Sequence, residues 1–218
     1  MTQPTPPIDI IPPEKPLVEI NKLLNVFINA STDYVADKKK NTVSLCDENG
    51  HPRVFLLLEG RIDVWQYLDN RLAETGWVPN ILGLQGSEYR SKMFYAQFPA
   101  SSVVKYLPQQ TALSLVRQHN LWEELWITQG YLIDRKLHRD LILLNSSAYK
   151  IICLLLHELE QYSEDERAQL SMADFIITRS RLARSGVMKI ISELRAGGYI
   201  EVNNGKLVRI VKKLPKNY

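Results

Sequence analysis

The chain has 218 residues, 45% hydrophobic and 23% charged, with a net charge of +3 and two cysteines. That is the balance of a globular protein with one large or two small domains. No apolar run approaches the roughly 18 residues a membrane-spanning helix needs, and no basic stretch followed by an apolar core marks a signal peptide, so a cytoplasmic protein without a membrane partner is expected. Cys46 and Cys153 are far apart and form no metal-binding spacing. They read as buried small hydrophobes.

Residues 1–16 hold six of the eleven prolines. Proline lacks the amide that helices and ladders require, so this segment reads as an extended arm. Leu17 to Ala30 is a short helix, with Ile20, Leu23, Leu24 and Phe27 on one face. From Val35 to Tyr106 the pattern becomes short strands: VSLC, RVFLLLEGRIDVWQY, ETGWV, KMFYAQF and SSVVKYL, split by turn cues such as Glu48-Asn49-Gly50 and Pro79-Asn80. A sandwich, barrel or jelly roll fits this spacing. Gly60 marks a bend or bulge. Trp65, Tyr67, Trp77, Phe94 and Tyr95 either line a small-molecule pocket or fill the roll.

After Pro108 the pattern turns helical. Asn120 is a candidate N-cap, with Glu123 three residues on, for a helix running from Leu121 to Leu144. Trp126, Gly130, Ile133, Leu137 and Leu144 mark a heptad-like stripe, with Leu125 and Leu132 beside it. The stripe is either a dimer seam or a face packed on the chain's own strands. Ser146-Ser147 starts another helix with Ala148, Ile151, Ile152, Leu155 and Leu159 inward, and Ser163 to Glu166 is an acidic break.

Leu170 to Thr178 is a short helix, Arg179-Ser180-Arg181-Leu182 a turn, and a second helix starts near Ala183. Val187, Ile190, Ile191 and Leu194 form its core stripe. Its opposite face carries Arg184, Ser185, Met188, Lys189 and Ser192, cations and hydroxyls of the kind that meet phosphates and base edges in the major groove. Gly197-Gly198 ends it, and YIEVNNGKLVRI reads as strand, Asn-Gly turn, strand. Helix, turn, helix and hairpin in that order make a winged helix-turn-helix. From Leu170 to Tyr218 ten lysines and arginines stand against three acids, a local +7, which leaves −4 on the remainder. Such a charge run alone is as readily a solvated face; together with the helix, turn, helix and hairpin it points to a polyanion-facing end. The candidate DNA-binding residues are Arg184, Ser185, Met188, Lys189 and Ser192, the turn's Arg179 and Arg181, and Asn204 and Lys206 on the wing.

The segment ARSGVMKIISELRAGGYI, Ala183 to Ile200, resembles the S-R-E-T-V-x-R-x-L-x-x-L pattern of the cyclic-AMP-receptor/FNR (CRP/FNR) family of bacterial transcription regulators. Arg184, Val187, Lys189 and Leu194 fall on its first arginine, valine, second arginine and second leucine. Ser185 stands where the family often has a base-reading glutamate, and the family's turn glycine is missing. FLLLEGRIDVW looks like the family's strand–glycine–strand unit with Gly60 on the glycine. Asn120 to Glu123, the wing from Tyr199 to Leu207 and the Leu214-Pro215 ending resemble the enterobacterial IprA-type inhibitors of peroxide resistance, a divergent group of this family.

The resemblance implies an α+β chain: a proline-rich arm (1–16), a cyclic-nucleotide-binding-like β jelly roll (17–107), connecting and long central dimerisation helices (108–145) and a C-terminal winged helix-turn-helix (146–218). The partners implied are double-stranded DNA, a second copy forming a homodimer, and RNA polymerase. Gly83 to Gly86, with Leu84 at the ribose-binding position, and Arg90-Ser91 mark a degenerate ligand pocket of Gly83, Leu84, Arg90 and Ser91. A leucine side chain cannot accept from ribose hydroxyls, so no cyclic nucleotide and no cofactor is expected.

An enzyme is not expected. Only His51 lies among the strands, too few for a cupin metal site, and His157-Glu158 lacks the second histidine of a zincin. The alternative is a protein-binding regulator that kept the fold and lost DNA or ligand binding, using Trp122, Trp126 and the arm.

Overall fold

The computed structural model describes residues 13–35, 42–85 and 87–215; most of the proline-rich arm, residues 1–12, lies outside them. The chain divides into two compact units, residues 1–138 and 139–218.

The first unit is built on two antiparallel four-stranded sheets. Helix α1 (Leu17–Ile28) precedes strands β1 (Thr32–Asp33), β2 (Thr42–Ser44), β3 (Arg53–Glu59), β4 (Arg61–Gln66), β5 (Leu72–Trp77) and β6 (Asn80–Leu82). Helix α2 (Glu88–Met93), strands β7 (Phe94–Gln97) and β8 (Val103–Pro108) and helix α3 (Gln109–Gln118) follow. One sheet has the order β1-β8-β3-β6, the other β2-β7-β4-β5. Gly60 joins β3 to β4 across the sheets at φ +82°, and a Cβ there would lie 2.5 Å from Ser102 Oγ. Glycine alone turns this corner without strain.

The unbroken apolar run of β3 has a simple cause. Val54 and Leu56 pack on α1 and α3 with Ile20, Leu23, Phe27 and Val116. Phe55 and Leu57 point the other way, among Val43, Ile62, Ala96, Phe98 and Val104. A strand covered on both faces needs hydrophobes at every position. Tyr34, Phe55, Phe98 and Tyr106 fill the space between the sheets, Tyr34 lying 5.5 Å from Phe98 and 6.1 Å from Phe55, centroid to centroid.

Helix α4 (Trp122–Asn145) runs through the boundary between the units. Asn120 is not its N-cap. It adopts φ +53°, and its amide and that of Leu121 donate to the carbonyls of Arg117 and Val116. This is the left-handed closure of α3, in which Asn substitutes for glycine. A capping-box spacing and a left-handed stop use the same residue type, so Asn120 fitted both patterns.

The second unit has helices α5 (Ala148–Glu160), α6 (Glu164–Arg167), α7 (Met172–Arg179) and α8 (Arg184–Ala196) and the hairpin β9 (Ile200–Asn203) and β10 (Lys206–Ile210). Ser147 caps α5 by accepting from the Lys150 amide. The acidic break is helix α6, closed by a reciprocal Ser163–Glu166 capping box. Tyr149, Ile152, Leu155, Leu156 and Leu159 of α5, Phe175 and Ile176 of α7, and Val187 and Leu194 of α8 are all buried.

Candidate nucleic-acid interface

Helix α8 separates two chemistries by its 3.6-residue period. Val187, Ile190, Ile191 and Leu194 are buried, whereas Arg184, Ser185, Met188, Lys189 and Ser192 are exposed. Its first turn has no side-chain cap, which leaves amides and the positive end of the helix dipole for an anion. Its last turn closes at Gly198, φ +66°; the amides of Gly198 and Tyr199 donate to the carbonyls of Arg195 and Leu194.

The turn before α8 works without a glycine. Ser180 is buried and extended, and its hydroxyl donates to the Ile176 carbonyl at 2.8 Å while accepting from the Leu182 amide at 3.3 Å. One side chain bridges the end of α7 to the turn, so no left-handed backbone is required.

Arg181 is exposed beside α8. Arg179 is not on that surface, although its position in the turn made it a candidate for DNA contact. It is 8% exposed. Its guanidinium lies 3.4 Å from Glu158, donates to Tyr162 Oη at 3.1 Å and stacks 3.6 Å from the Phe175 centroid. These contacts make it an internal strut of the second unit.

Arg184 opens α8 with an exposed guanidinium paired to the Asp174 carboxylate of α7. The Ser171 hydroxyl, which caps α7, and then Arg184 hold the Asp174 carboxyl below its ordinary range. Sequence reading missed Asp174. Its only signal was its place three residues after a capping serine.

The wing is a two-residue hairpin: Asn203 pairs with Lys206, and Asn204 and Gly205 both have positive φ, 49° and 77°. Asn203 and Asn204 are exposed at its tip. The Lys206 ammonium donates to the Ala168 carbonyl, and the Met172 amide donates to the Gly205 carbonyl at 3.0 Å. The wing is thereby fastened to the start of α7.

Along α4, Trp126 is 81% exposed, Ile133, Leu137 and Leu144 are also exposed, and Gly130 is half-buried. Leu132 is buried and Leu125 packs on the core. The two neighbouring stripes of α4 therefore differ, and the heptad-like one carries large apolar side chains in water.

The residues expected to mark a degenerate ligand pocket have different surroundings. Leu84 is 6% exposed within the core beside α1 and α3. Gly83, at φ +98°, lies so close to the Arg53 carbonyl that a Cβ would clash, and Gln109 donates to its carbonyl at 2.9 Å. Ser91 is buried with its hydroxyl on the Ser87 carbonyl, and Arg90 is exposed on α2. Of the candidate lining aromatics, Trp65 and Tyr67 pack around Tyr95 at 6.5 and 4.9 Å. Phe94 packs on the inter-sheet core, and Arg61 lies 6.0 Å from the half-buried Trp77. Cys46 is buried, Cys153 is half-buried, and burial raises the Cys153 thiol above its ordinary value, so it is held protonated. Among the described residues no cluster of His, Cys, Asp or Glu has the makings of a metal site, and no helix is long and apolar enough to cross a membrane.

A β-roll followed by a long helix and a winged helix-turn-helix is the fold of the CRP/FNR regulators. The solved structure of FixK2 from Bradyrhizobium japonicum matches with a TM-score of 0.59 at 14% identity, over 84% of this chain and 93% of that one. A CRP-family transcriptional regulator from Thermus thermophilus matches with a TM-score of 0.54 at 18% identity, over 82% and 91%. Residues 148–216 match a family described as winged helix-turn-helix DNA binding. In sequence the chain is similar to the inhibitor of hydrogen peroxide resistance of Escherichia coli (strain K12), 29% identical over 208 residues, 94% of this chain and 98% of that protein.

Proposed function

We propose that the chain is a homodimeric, DNA-binding transcriptional regulator acting in the response to oxidative stress, with a roll that does not take cyclic nucleotide. The observation that carries the reading is the exposed face of α8, where Arg184, Ser185, Met188 and Lys189 project from a helix whose other face is buried. A helix of this kind presents donors to base edges while the wing's Asn204 and Lys206 reach the backbone. The family match over residues 148–216 supports the same assignment. The exposed stripe of α4 supports pairing of two copies, since large apolar side chains in a row are normally covered. Leu84 in the core supports a roll without a ribose-binding acceptor. The oxidative-stress part rests on the name of the Escherichia coli relative.

Genome-wide immunoprecipitation sequencing of the tagged chain, before and after peroxide treatment, tests the reading. Discrete peaks at promoters are expected, with occupancy altered by peroxide. A profile without peaks in both conditions, together with no retention on any duplex at low salt, would mean that the fold serves a protein partner instead.

A further inference from the structure

The contact between α7 and α8 gives Arg184 a partner, and we infer that Asp174 is a positioning residue that aims the Arg184 guanidinium at a guanine and so sets sequence specificity. The inference rests on the DNA-binding reading above.

Arginine has five N–H donors in a planar fork. In this structure Nη2 of Arg184 donates to Oδ1 of Asp174. A carboxylate on one part of the fork leaves another edge for the O6 and N7 acceptors of guanine, the commonest specific contact in the major groove. Arg184 is the first residue of α8, the end of such a helix that meets base edges.

Both ends of the pair are fixed by their own elements. The Asp174 amide donates to Ser171 Oγ at 3.3 Å in the cap of α7, and the next two residues, Phe175 and Ile176, are buried. Three residues past Arg184, Val187 is wholly buried. The side chains themselves remain open to a ligand: Arg184 is 64% and Asp174 55% exposed. An exposed ion pair contributes little to stability because both ions are already well solvated. What it supplies is orientation, since a long side chain held at one point loses fewer rotamers on binding. A carboxylate beside the phosphates also weakens contact with any duplex. Asp174 therefore raises the ratio of specific to non-specific binding by acting on both sides of it.

The test takes the full-length chain, selects its preferred duplex from a random-sequence library, and measures affinity for that duplex and for random duplex at one salt concentration. Asp174→Asn keeps the backbone cap on Ser171 and removes the charge. It is expected to lower the ratio by about tenfold, within the range one good arginine–guanine pair contributes, with random-duplex binding unchanged or tighter. In an Arg184→Ala background the same change should leave the ratio within about twofold, as expected for two residues acting as one unit. Asp174→Glu should recover part of the ratio. The inference is overturned if Asp174→Asn weakens both duplexes equally, leaves the ratio intact, or lowers it as much without Arg184. A wild-type chain that retains no duplex at low salt would overturn the DNA-binding reading itself, and this inference with it.

Discussion

At the scale of single residues, Arg179 shows how strongly burial changes what a cation does. Its guanidinium is shared among Glu158, Tyr162 and the face of Phe175. Removing it takes a charge partner from Glu158 and a donor from Tyr162. Arg179→Ala should therefore destabilise the second unit by about 3 kcal/mol, the low end for breaking a buried pair because Glu158 keeps some access to water. Arg179→Lys should recover little of this, because an ammonium has neither the fork nor the flat face that stacks on Phe175. Thermal unfolding followed by circular dichroism checks the outcome. A variant that melts like the wild type but loses duplex binding would return Arg179 to the surface role its position in the turn first implied. Arg184, five residues on, carries the same charge and is exposed.

At the scale of elements, α4 carries two apolar stripes with opposite fates. Leu132 is buried, while Leu137 is 54% exposed. Leu137→Glu should leave helix content unchanged and convert the proposed dimer to single chains in sedimentation velocity, because a charge in a packed seam must be desolvated. Leu132→Glu should instead unfold the first unit. A Leu137→Glu protein that sediments like the wild type would assign the stripe some other role.

What the sequence disclosed follows the same physics. Helices α1, α5 and α8 and the wing were legible because their signals are local: a 3.6-residue stripe, a capping serine, a glycine stop, an Asn-Gly turn. Helix α2 was not, since the six residues Glu88 to Met93 are too few to show a period, and Lys92 and Met93 read as the start of the next strand. Strand β6, only Asn80 to Leu82, was hidden behind Pro79, read as part of a turn. Within the candidate interface, the exposed face of α8 followed from periodicity. The burial of Arg179 and the pairing of Asp174 with Arg184 did not, because both depend on how α5, α7 and α8 pack, and no spacing along the chain encodes that.

At the scale of the whole molecule, charge is segregated along the chain. Residues 170–218 carry +7 and the remainder −4. Net charge alone would attract DNA diffusely, and a local interface would attract it at one place. Salt dependence separates the two, because each phosphate neutralised at the interface releases condensed counterions and adds to the slope of log K against log salt. Lys189, exposed on α8, should behave as one such contact. Lys189→Ala is expected to weaken all duplexes alike and to flatten the slope by about 1. Lys105 provides the control. It lies on β8 in the first unit, with its ammonium 2.6 Å from the Asp33 carboxylate. Lys105→Ala changes the total charge by the same amount as Lys189→Ala, yet it should leave the slope unaltered. If the two substitutions shift the slope equally, attraction is spread over the whole surface, and the face of α8 has no special claim on the phosphates.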